Sequence, residues 1–109
     1  MISIDIRDTS DLVPQLEEVL REKGITDGAI VSMIGAFDSC QISNMDKGDA
    51  FKDHIEAYDI PLEVSGSGYV ENGKVHIHVV ASSNKGETYA GHLHSASVFS
   101  WFIRLFVIE

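Results

Sequence analysis

The sequence predicts an α+β fold: a single, mainly antiparallel (mixed) β-sheet with one main helix packed on it. Three observations carry this expectation. Apolar residues recur at helical spacing once, early in the chain, whereas the rest shows alternating or continuous β-type patterns. Turn signals at Asn72-Gly73 and at Ser83–Gly86 divide the second half into neighbouring strands. A length of 109 residues suits one domain, 1–109, large enough to bury a core of its own.

The elements follow in order. Ile2, Ile4 and Ile6 alternate with Ser3, Asp5 and Arg7, the pattern of a half-buried strand. Leu12, Val13, Leu16, Val19 and Leu20 then line one helix face, with Glu17, Glu18, Arg21, Glu22 and Lys23 outside. Ser10 or Asp11 can cap this helix, Pro14 fits only in its first turn, and Gly24 ends it. Ala29–Ile42 is apolar on both parities and predicts a strand covered on both faces, with Gly35 marking a bulge or a close backbone approach. Asn44–Asp53 is polar and reads as a loop. Tyr58, Ile60, Leu62 and Val64 predict one face of a strand, relaxed at Gly66 and Gly68. After the Asn72-Gly73 turn, Val75, Ile77, Val79 and Ala81 form the inner face of a returning strand. The last stretch, Val98–Glu109, is β-branched and aromatic on both parities.

Composition narrows function. Seventeen acidic residues against 8 basic give a net charge of −9, a field that repels phosphate backbones and anionic lipid. Direct nucleic-acid or membrane binding by this chain alone is therefore not expected. The first residues lack the basic start and apolar core of a signal peptide, and no apolar run is long enough to span a bilayer; the expected location is cytoplasmic. The single cysteine, Cys40, reads as a small buried apolar residue.

Four of the 5 histidines, His76, His78, His92 and His94, crowd into a short stretch. His76 and His78 are two apart on a strand, so both rings leave one face with Cα atoms roughly 6.6 Å apart. Two imidazoles at that separation can converge on one ion, or else simply form the wet side of an amphipathic strand. Gly91-His92 follows one hairpin later, and the glycine permits the close approach that would bring His92 to the pair. Three histidines with an open position suit zinc or another borderline divalent ion. His94 lies further from the turn, and His54 sits in a polar, solvated segment.

Gly73-Lys74-Val75-His76-Ile77-His78-Val79-Val80, together with Ala90-Gly91-His92-Leu93, resembles the plants-and-prokaryotes-conserved (PPC) domain. Gly28–Ala36 is similar to that family's second motif and Leu12–Gly24 to its first helix, so the resemblance spans about residues 2–108. It implies a subunit that assembles as a homotrimer and a divalent metal, usually zinc, held by His76, His78 and His92. In land plants the domain accompanies AT-hook segments, and the hook grips DNA. This chain has only Arg7, Arg21 and Arg104, none beside a Gly-Arg, and nothing resembling a hook. Two departures stand out: Ala90 replaces a glycine, and Leu62–Gly68 is one residue tighter than the related strand.

Three functions follow as expectations. The first is a metal-binding, trimeric interaction or regulatory module serving an unidentified protein or small-molecule partner. The second is a metal-dependent hydrolase, since an ion with an open position activates water for attack on ester, amide or phosphate bonds. Glu63 and Glu56 are its candidate bases. The third is a transcription-related role exercised through a DNA-binding partner. Assembly has its own warrant in the final strand, where Phe99, Trp101, Ile103, Leu105 and Val107 share one face and Val98, Phe102, Phe106 and Ile108 most of the other. One helix cannot cover both, so an apolar interface is expected.

Overall fold

The stretch with helical spacing forms α1 (Leu12–Glu22) in the computed structural model, which describes residues 1–109. Asp11 caps it, its carboxylate accepting from the Val13 amide at 3.3 Å, and Pro14 falls in the first turn. Leu12, Leu16 and Leu20 are fully buried, one above another on the inner face. Each contributes roughly 1.5–3 kcal/mol on leaving water.

Eight strands accompany the helix: β1 (Ile2–Ile6), β2 (Gly28–Phe37), β3 (Ser39–Asp46), β4 (Asp49–Tyr58), β5 (Leu62–Glu71), β6 (Lys74–Ser82), β7 (Thr88–Ser97) and β8 (Ile103–Ile108). They form one open sheet in the order β1-β8-β2-β5-β6-β7-β3-β4. Every pairing is antiparallel, so the α+β class holds while the mixed character expected of the sheet does not. The single helix packs on one face, against β1, β6 and β7. There it closes a core that includes Ile4, Ile30, Met33, Phe37, Ile77 and Leu105.

Several boundaries differ from the sequence expectation, each for a local reason. Ala29–Ile42 is two strands, broken at Asp38, whose carboxylate turns aside to accept from the Phe99 and Ser100 amides at 2.7 and 3.0 Å. A register shift between Ile30 and Met33 puts both side chains in the core although their spacing is odd. Gly35 is not the bulge; it sits against the Phe102 carbonyl of the β8 side, where a Cβ would collide. Asn44–Asp53 is no loop: it holds the end of β3, a turn at Lys47-Gly48 and the start of β4. Tyr58 and Leu62 belong to different strands, and β5 runs unbroken through Gly66 and Gly68.

The Asn72-Gly73 signal is a two-residue hairpin turn, with Asn72 at φ 51° and Glu71 opposite Lys74. At the C-terminal end, Ile103, Leu105 and Val107 are core, while Phe99 and Trp101 precede the strand and are exposed. Phe102 is half-buried beneath two guanidiniums, with Arg7 and Arg104 at 5.0 and 5.1 Å from its ring centre. The last strand therefore has one core face, and its other face carries half-buried Phe106 and exposed Ile108.

Leu16 is wholly enclosed between α1 and the sheet. Leu16→Ala should cost about 2–5 kcal/mol, read as a lower urea midpoint at unchanged slope. A loss under about 1 kcal/mol would mean the helix does not seal this core.

Candidate metal centre

On β6, Ile77, Val79 and Ala81 point into the core, and alternation turns His76, His78 and Val80 to the opposite face. The hairpin to β7 sets His92 directly opposite His78. Gly91, at φ 153°, makes this possible: a Cβ there would meet the Ser43 carbonyl of β3 and lie 2.9 Å from Asn44 Oδ1. One possible ligand atom from each of His76, His78 and His92 falls within 4.8 Å of the others. The rings of His76 and His92 are 4.4 Å apart at their centres, and Tyr69 stacks on His76 at 5.2 Å.

Two features suit this cluster to a divalent ion. His76 Nε2 and His78 Nε2 stand 3.1 Å apart. Two nitrogens each bound at about 2.0–2.1 Å to a tetrahedral ion lie roughly 3.3 Å apart. His92 Nδ1 is buried with no hydrogen-bond partner, a costly state for a polar atom outside a complex. The donor set is entirely imidazole, which favours zinc-like ions over calcium or magnesium.

The other histidines have separate tasks. His94 is the extra residue where the β3–β7 register shifts; its Nε2 lies 2.7 Å from Ser43 Oγ, and its ring abuts His92 edge-on at 4.8 Å. It steadies the wall of the site. His54 pairs with Asp46 at 2.7 Å on the β3–β4 hairpin and takes no part in the cluster. Cys40 is buried, and burial pushes its thiol up to about 11, so it is no nucleophile at neutral pH.

The carboxylates fall differently from expectation. Glu63 pairs with Ser82 near the far end of β6 and borders clefts that contain no histidine. Glu56, opposite Ile42 on β4, is likewise absent from the walls of the histidine cavity. Asp53 takes their place. It lines a cavity of about 400 Å³ with His76, His78, His92, Asn44 and Met45. Sequence reading missed it because the β3–β4 hairpin that delivers it looked like a loop.

Burial, and then the neighbouring imidazoles of His76, His94 and His78, hold His92 below the ordinary histidine pKa, while Asp53 opposes them. In the unfolded chain His92 would take its proton near pH 6.5, in the fold only at lower pH. The unfolded state therefore binds more protons between those values, and stability is lost as pH falls through that window. Metal-free protein should show Tm declining below about pH 6.5, and His92→Gln should flatten that portion. Asp5, Asp38 and Asp46 are all held below the usual carboxylate range and so act at lower pH. An identical slope in the variant would remove His92 as the cause.

The family model of the Plants and Prokaryotes Conserved (PCC) domain matches residues 1–109. Among solved structures, the chain is similar to a protein of Archaeoglobus fulgidus described as metal-containing. Identity is 36%, TM-score 0.76, and the match covers 95% of this chain and 76% of that one. A plant- and prokaryote-conserved protein of Pyrococcus horikoshii gives TM-score 0.80 at 20% identity, over 99% of this chain and 78% of that one. A protein of Bacteroides thetaiotaomicron, proposed to bind DNA, gives 0.79 at 22% identity, over 94% and 74%. At such identities these last two show the fold alone. No curated protein matches the chain.

Proposed function

This chain belongs to the Plants and Prokaryotes Conserved domain family, and on that premise we propose that it is a metal-binding module. His76, His78 and His92 would hold one divalent ion, and an all-imidazole donor set favours zinc. The observation that carries this is the convergence of the three imidazoles within 4.8 Å, one of them with a buried, unpartnered nitrogen. The metal-containing relative at 36% identity supports it. Such an ion supplies positive charge and Lewis acidity at an open cavity. The chain's own residues hold the rings in place: Tyr69 stacks on His76, β7 sets His92 against His78, and His94 with Ser43 fixes the flank.

The module works as an assembly of identical chains, a homotrimer by the family resemblance. Support comes from the sheet face away from the helix. Ile34 of β2, Ser65 of β5, Val80 of β6 and Ala90 of β7 are successive cross-strand neighbours, and Ile34 and Val80 are 56% and 48% exposed. A second row runs Ile108, Ala29, Tyr69 and His76. Apolar side chains aligned on one open face suit burial against another subunit. Direct DNA contact has no support in a chain of net charge −9.

Elemental analysis of protein purified without a metal-affinity tag should find one divalent ion per chain. His78→Ala should lose it while keeping the fold, since His78 is exposed. Full occupancy in that variant would refute the ligand set. Light scattering should give about 36 kDa, three times the 12.0 kDa chain. A stable 12 kDa species at micromolar concentration would remove the assembly. A low-salt gel shift should show no retarded DNA with micromolar protein; a shift would restore the direct DNA-binding role.

A further inference from the structure

The cavity beside the three histidines has a second wall, and its chemistry is one-sided. Asp53 contributes a carboxylate, which only accepts hydrogen bonds when ionised. Asn44 spends its amide nitrogen on the Ala90 carbonyl at 2.8 Å, leaving Oδ1, an acceptor, near Gly91. The Ser43 hydroxyl is engaged by His94. Met45 adds an apolar patch, and no lysine or arginine lines the cavity. Apart from the ion itself, a phosphate or carboxylate entering here would meet protein acceptors and a negative charge, with no lysine or arginine to clamp it.

Resting on the metal reading above, we propose that the cavity favours a small neutral molecule rich in hydrogen-bond donors, such as an amine, and that Asp53 weakens the hold of the site on anions. Asp53 stands on β4, opposite Met45 of β3, and lines the histidines' cavity from an element separate from theirs. The field of that carboxylate would draw a divalent cation in and lessen the pull of that cation on anions. The roughly 400 Å³ available has room for a small molecule beside an ion.

The test uses full-length protein loaded with cobalt(II), whose visible spectrum reports ligands entering its coordination sphere, and two probes, azide and imidazole. Asp53→Asn, at an exposed position, should bind azide about five- to tenfold more tightly than wild type, as removal of one charge from the cavity wall predicts. Affinity for neutral imidazole should stay within about twofold. Asp53→Glu, which keeps the charge, should bind azide as weakly as wild type does. Equal azide affinity in wild type and Asp53→Asn would overturn the proposal, as would tighter azide binding in both substituted forms. Wild-type protein that takes up no cobalt would instead overturn the metal reading itself. Loss of cobalt from Asp53→Asn alone would make Asp53 a ligand and overturn its role as a selector.

Discussion

The pairing of β6 with β7, register-locked so that His78 faces His92, is the constraint on which the site depends. It rests on two short-range facts. The Asn72-Gly73 turn fixes β6 against β5, which sets the parity that sends Ile77 and Val79 inward and His76 and His78 outward. A slip of one residue would exchange these sets and place imidazoles in the core. On the other side, Gly91 lets β7 lie against β3 at a distance no side chain would allow. The histidines are thus positioned by core burial on the opposite face, and the hydrophobic energy that orders the sheet also orders the site.

The fold is lopsided. One helix and the inner sheet face supply the core, leaving the outer face with exposed Val31, Ile34, Tyr69 and Val80. The histidine cluster stands at the border of that apolar field, with His76 stacked on Tyr69. Binding at the cluster and coverage of the face by another subunit would therefore affect the same strands.

What the sequence revealed followed burial. The helix, β1, the inward set of β6 and the hairpin turn all carry a periodic or steric signature, because each answers to the core or to a positive φ. The His-x-His and Gly-His spacing was legible for the same reason, alternation on strands whose other face is buried. The strand β4 was not. Only Tyr58 at its end packs against the core, its other residues are exposed, and so it has no hydrophobic alternation to read. The break at Asp38 was hidden because the apolar pattern continues on either side of it, and the irregularity between Ile30 and Met33 erased the period of β2. Glu63 and Glu56 were credible bases in sequence alone, since only the strand order could show that neither lines the histidine cavity.

An edge strand without a core face needs other support, and β4 has three kinds. Its backbone pairs with β3 along its length, Tyr58 at its end stacks on Tyr89 at 4.2 Å, and His54 reaches Asp46 across the hairpin. Its free edge carries Asp49, Lys52, Asp53 and Glu56, charges that discourage pairing with stray strands. These supports fix register more than they add stability, since exposed ion pairs contribute little and a stacked pair about 0.5–1.5 kcal/mol. Register is what the site requires. Met45 opposite Asp53 places one carboxylate over the imidazoles, and the next residue, His54, turns to the other side to hold the hairpin closed. The alternation that fails to bury anything in β4 still sorts its side chains, sending one charge to the cavity and its neighbour to the structure.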